Sequence, residues 1–196
     1  MMINAINTCL QEIGHSGLEE GEGPCRTIDP YYVAMGLIEK AQVGDPAKAA
    51  LKMVRLCGAP REWAENVIEQ AKVGDPANAA LEMIWRNESS RKWAEGVIER
   101  AQTGDPAYAA VEMAWRYGSS REWAEGVIER AQVGDPARAA VEMARCCGSS
   151  CRWAKKVIKN AKTGDPARAA ADMVRYFGSS QKWAKEVIAQ AQQAGT

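Results

Sequence analysis

Apolar residues recur along most of the chain at helical spacing, and the pattern returns every 30 residues. In one copy Ala77, Ala80, Leu81 and Ile84 fall at i, i+3, i+4 and i+7. Farther on, Trp93, Val97 and Ala101 form one ridge, with Ala94 and Ile98 beside it. Each run predicts a helix with one wide apolar face. Gly-Asp-Pro-Ala begins at 44, 74, 104, 134 and 164, and Trp-Ala at 63, 93, 123, 153 and 183. Twelve positions of the repeat are identical in all five copies: Gly, Asp, Pro, Ala, two further Ala, Met, Trp, Ala, Val, Ile and Ala. No run alternates apolar with polar residues, so no strand is predicted.

The repeat reads as two helices, A and B. Asp75 suits an N-cap, Pro76 the first helical position, and Gly74 the left-handed residue that closes the preceding helix. This predicts helix A over 76–86. A glycine ends it elsewhere (Gly58, Gly118, Gly148, Gly178). The second repeat has Glu88 at that place, so Asn87 is expected to turn left-handed there. Helix B is predicted to follow the Ser pairs at 89–90, 119–120, 149–150 and 179–180. Pro60 is expected at the first helical position, and Ser119 with Glu122 as a capping box. One such hairpin cannot bury its own apolar face, whereas stacked copies can.

The expected fold is therefore all-α, an α-solenoid of five 30-residue repeats. A degenerate half-repeat precedes them, Val33 to Ala41, with Val33 in the Trp slot. A capping helix built on Ile3, Ile6, Leu10 and Ile13 comes before that, joined by a polar, glycine-rich connection over 14–30. The domain division is 1–30 for cap and connection and 31–196 for the array. The repeated Trp63, Trp93, Trp123, Trp153 and Trp183 are expected in the core, as are the repeated Met (53, 83, 113, 143, 173). Gln190, Gln192 and Gln193 give the last helix a water-facing side.

A two-helix repeat of this length with Gly-Asp at the joint resembles short HEAT-like repeats, the kind found in phycobilisome-lyase-type repeat proteins. The resemblance covers roughly residues 30–193, although Trp-Ala stands where such repeats carry Val-Arg. It implies scaffolding or protein binding and transfers no catalytic residue.

Charge changes the picture in its distribution rather than its sum. Lys plus Arg and Asp plus Glu each total 25, which excludes a generic basic nucleic-acid coat. Nucleic acid is therefore not expected as a partner. Residues 1–45 hold two basic and seven acidic groups, whereas residues 146–196 hold nine basic and three acidic. One His and no converging carboxylates leave no acid–base machinery, so neither an enzyme nor a cofactor is expected. The opening residues carry no basic region before a long apolar run, and no stretch is long enough to span a bilayer. A cytoplasmic protein without membrane contact is expected.

If shared slots build the fold, the differing slots are the candidates for function. The fifth position reads Lys48, Asn78, Tyr108, Arg138, Arg168. The ninth reads Lys52, Glu82, Glu112, Glu142, Asp172, and the twelfth Arg55, Trp85, Trp115, Arg145, Arg175. Their spacing places them on one exposed stripe of helix A, opposite the apolar face. Trp, Tyr and Arg dominate binding hot spots. The expected function is thus a non-enzymatic scaffold that holds a protein or peptide partner. Its contact residues are Trp85, Trp115, Tyr108, Arg55, Arg145, Arg175, Glu82 and Glu112. Two alternatives stay open. One is head-to-tail self-association of acidic N-terminal and basic C-terminal ends, since a heterologous contact that does not close builds filaments. The other is a thiol redox or metal site at Cys146, Cys147 and Cys151, where a helix N-terminus and nearby cations favour thiolate.

Overall fold

The structure is a computed structural model that describes residues 2–18, 29–86 and 89–194. The chain divides into two compact units, Met1–Gly104 and Asp105–Thr196. The first holds α1 (Met2–Leu10), a 3-10 turn (Gln11–Ile13), α2 (Pro30–Glu39), α3 (Pro46–Cys57), α4 (Arg61–Gln70), α5 (Pro76–Trp85) and α6 (Arg91–Arg100). The second holds α7 (Pro106–Arg116), α8 (Arg121–Arg130), α9 (Pro136–Cys146), α10 (Cys151–Asn160), α11 (Pro166–Phe177) and α12 (Gln181–Ala194). No strand occurs among the described residues. Each unit is a stack of hairpins, with α3 on α5 in the first and α7, α9 and α11 in succession in the second. The fold class is all-α, of the α-solenoid type. No helix among the described residues is long and apolar enough to cross a membrane.

The invariant Gly-Asp-Pro is explained at the joints between hairpins. In every repeat the Asp carboxylate caps helix A, accepting the N–H three residues on at 2.9–3.0 Å. Pro follows at the first helical position, where its missing N–H costs nothing. Gly134 has φ 76°, and a Cβ there would run into the Asp105 carboxylate of the preceding joint. The residue must be glycine for two reasons, backbone angle and space. The joints are also linked, since the Asp75 N–H donates to Asp45 Oδ2 at 3.3 Å.

At the first joint, Gly44-Asp45-Pro46, backbone of the Glu12–Ile13 segment stands where later joints have the preceding Asp. The Asp45 N–H donates to the Glu12 carbonyl at 2.7 Å, and Gly44 lies against Glu12 and Ile13. Helix α1 packs on both α2 and α3, as helix A packs in each later hairpin. It buries Ile6, Cys9 and Leu10 while Met2, Asn4 and Thr8 face water. The capping helix is therefore the first helix of a hairpin whose second helix is α2.

Three expectations need correction. Pro60 is the N-cap of α4, with extended ψ of 136°, and the helix starts one residue later at Arg61. Ser120, not Ser119, caps α8: its Oγ accepts the Trp123 N–H at 3.1 Å, while Ser119 is buried with its N–H on the Met113 carbonyl. The repeated Trp are half-buried seams rather than core. Trp63 Nε1 donates to Glu39 at 2.6 Å, and Trp153 Nε1 to Glu129 at 3.0 Å, each tying helix B to the helix B before it. The fully sealed interior is made by smaller groups, such as Ala80, Met83 and Ile98 in the first unit and Ala110, Met113 and Ile128 in the second. Asn87, Glu88, Cys25 and most of the 14–30 connection lie outside the described residues.

Candidate functional site

The helix A stripe has the geometry its spacing implies, one unit at a time. In the first unit Trp85 closes α5 with 68% of its surface exposed, and the Arg86 guanidinium lies over its ring, 5.5 Å from the centroid. Glu82, one turn earlier, faces Arg55 of α3 at 3.9 Å. Burial stops abruptly at this end of α5: Met83 and Ile84 are covered, and the next residue is open.

In the second unit four side chains run along α7. Partial burial, then the Glu112 charge, raise the Tyr108 hydroxyl above its usual range. Glu112 also binds Arg116 at 2.6 Å, and Arg116 lies 4.7 Å over the Trp115 ring. Tyr108 is 44% exposed and Trp115 53%. Each ion pair or cation–π contact at such exposure is worth about 0.5–1 kcal/mol, enough to set side-chain direction but little stability. The result is an aromatic ledge held open by its own charges. On α9 and α11 the same slots carry cations: Arg145 binds Glu142 at 2.6 Å, and Arg175 lies 5.3 Å from the Tyr176 ring.

Every predicted contact residue thus lies on an exposed or half-exposed part of helix A. The cations that stack on Trp85 and Trp115 are Arg86 and Arg116, one slot beyond the predicted Arg55, Arg145 and Arg175. Leu56 and Tyr176 are exposed at this thirteenth slot too. The thirteenth slot also varies between repeats, a signal that reasoning from three- and four-residue spacing passed over.

The thiols behave differently from one another. Cys146 lies 3.8 Å from Glu142, Cys147 is half-buried, and Cys151 is exposed at the start of α10. Burial, then Cys146, raises the Cys147 thiol, which opposes thiolate formation. No group of three or more His, Cys, Asp or Glu converges as a metal site among the described residues. In the first unit Cys9 is pushed up to about 12 by burial and then by the neighbouring Cys57 thiol.

The acids of the described N-terminal region are engaged within their own unit. Glu12 binds Lys52 at 2.5 Å and Lys48 at 3.1 Å. Burial alone would raise its carboxyl, but those two ammonium groups outweigh it and hold the carboxyl low. Glu39 accepts the Trp63 indole N–H, and Asp29 and Asp45 cap helices.

Sequence reasoning missed a second kind of surface, a groove lined by the C-terminal ends of consecutive B helices. In the first unit it measures about 870 Å³ and is rimmed by Glu39, Glu69, Lys72 and Arg100 around Trp63. In the second it lies between α10 and α12 and measures about 640 Å³. Compared with protein-family models, curated proteins and solved structures, the chain matches none of them.

Proposed function

We propose that the protein is a non-enzymatic cytoplasmic scaffold of HEAT-like helical repeats that holds a protein or peptide partner on its helix A faces. Trp85 in the first unit and the Tyr108–Trp115 ledge in the second are the contact centres. One observation carries this reading: the apolar slots shared by all repeats are buried or half-buried, whereas the variable slots expose large aromatic rings. Exposed Trp and Tyr desolvate readily against a partner and lose little side-chain freedom, which is why such residues anchor interfaces. The flanking charges suit the polar rim of an interface and help select the partner.

The test is affinity capture with the wild-type chain beside Trp85→Ala/Trp115→Ala. The double variant should lose the partners that the wild type retains while its thermal midpoint stays within a few degrees. Unchanged capture would reject the aromatic centres as the contact.

A further inference from the structure

The outward face of helix B changes sign within the second unit. On α8 its slots carry Glu122, Glu125 and Glu129, and on α10 the same slots carry Arg152, Lys155 and Lys159. Helix α12 continues with Lys182 and Lys185, followed by Glu186. Few of these cations are neutralised. Lys156 lies 3.4 Å from Glu129, and Lys155 sits 5.3 Å over the Trp183 ring. Among the described residues no acid lies within ion-pair distance of Arg152, Lys159, Lys162, Lys182 or Lys185.

This cationic face borders the groove between α10 and α12. Lys159 and Lys162 stand on its rim with the Gln190 amide, and the half-buried Ala161, Pro166 and Ala191 supply an apolar floor, with Ile158 and Val187 buried behind it. Asp165 also lines it, its Oδ1 accepting the Arg168 N–H at 2.9 Å, so two ammonium groups share the groove with one carboxylate. The matching groove of the first unit has a rim of mixed charge, so the basic rim comes from side-chain choice rather than from the repeat fold.

We propose that the groove between α10 and α12 binds an acidic peptide segment in which carboxylates flank an apolar side chain. The carboxylates meet Lys159 and Lys162, the peptide backbone meets Gln190, and the apolar side chain covers Ala161, Pro166 and Ala191. Nucleic acid fits less well. The rim is lysine, without the guanidinium fork, and neither α10 nor α12 offers an exposed aromatic ring for base stacking. A phosphate chain would also leave the apolar floor uncovered.

The experiment is fluorescence anisotropy on the full chain with a dye-labelled peptide of two glutamates on each side of a leucine. Binding should weaken steeply with added salt. Replacing the peptide's leucine by serine should cost about tenfold, the loss of one partly buried apolar side chain. Lys159→Gln/Lys162→Gln should weaken binding at least about tenfold, since each ammonium–carboxylate bond counts for more than a neutral one. Circular dichroism of that variant should match the wild type. Trp85→Ala/Trp115→Ala should bind the peptide normally, which separates this site from the helix A contacts. No binding at millimolar peptide, equal binding of the serine peptide or by the lysine variant, or displacement by an oligonucleotide of equal charge would each overturn the proposal.

Discussion

Two glycines of the second unit share a backbone conformation but differ in surroundings, and alanine at each separates two costs. Gly134 and Gly148 have φ of 76° and 71°. A side chain at either position is strained by about 1–2 kcal/mol, because a Cβ in the left-handed region crowds the following carbonyl. At Gly148 the added carbon meets nothing within 4 Å, so Gly148→Ala should cost about that amount and no more. At Gly134 the carbon would meet the Asp105 carboxylate, and the Asp105 Cα would lie 2.9 Å away. Relieving the contact moves the carboxylate off the Tyr108 N–H that it caps at 3.0 Å. A lost cap adds about 1 kcal/mol, and the residual crowding about 1–3 kcal/mol. Gly134→Ala should therefore cost about 2 kcal/mol or more beyond Gly148→Ala. Thermal melts and urea titrations followed by circular dichroism measure the difference, at about 2–4 °C per kcal/mol for a chain of this size. Asp105→Ala should make Gly134→Ala cheaper, a coupling that a double-mutant cycle reads directly. Equal losses at the two glycines, or strict additivity with Asp105→Ala, would refute the collision as the reason for the invariant glycine.

Other outcomes follow from burial and charge. Trp153→Ala, which opens a half-buried seam and removes the bond to Glu129, should destabilise by about 2–3 kcal/mol. Trp115→Ala should change the midpoint by about a degree or two, since its ring is mostly in water, and chemical denaturation compares the pair. Among the cysteines of the described residues, Cys151 should be alkylated first and Cys9 last under native conditions, as read by mass spectrometry. The folded state keeps the Cys9 thiol protonated to about pH 12, while the unfolded chain loses that proton near the ordinary 9.0. Stability from this group is therefore full below pH 9 and falls as pH rises toward 12, and Cys9→Ala should flatten that decline. The Glu12 carboxyl is held low, so its contribution is lost on acidification, and Glu12→Gln should reduce the acid sensitivity of unfolding.

The repeat made the hairpins legible from sequence, because Gly-Asp-Pro specifies a left-handed turn, a cap and a helix start in three letters. Helix α1 was legible only as an amphipathic segment. It lacks that motif, and the backbone bond from Asp45 to Glu12 that seats it leaves no trace in residue type. Identity misled at the repeated Trp: an invariant large side chain suggests a core, yet the rings are half-buried, and at Trp63 and Trp153 the ring N–H binds a glutamate of the preceding helix B. Pro60 misled for a related reason, since proline fixes φ for both the N-cap and the first helical position, and only ψ separates them. On the candidate face, variable slots three and four residues apart identified Trp85, Tyr108 and Trp115. Arg86 and Arg116 were passed over because each is adjacent in sequence to the ring it covers, near the end of a helix. The grooves are lined by residues of neighbouring hairpins together, which no single repeat encodes.

Residue-resolved hydroxyl-radical footprinting, on the free chain and again with its partner bound, tests the division between covered and outward slots most directly. In the free chain Trp85 and Trp115 should oxidise several-fold faster than the five repeated tryptophans, and both should become protected on binding. Uniform oxidation of all seven in the free chain, or undiminished reactivity of Trp85 and Trp115 in the complex, would contradict it.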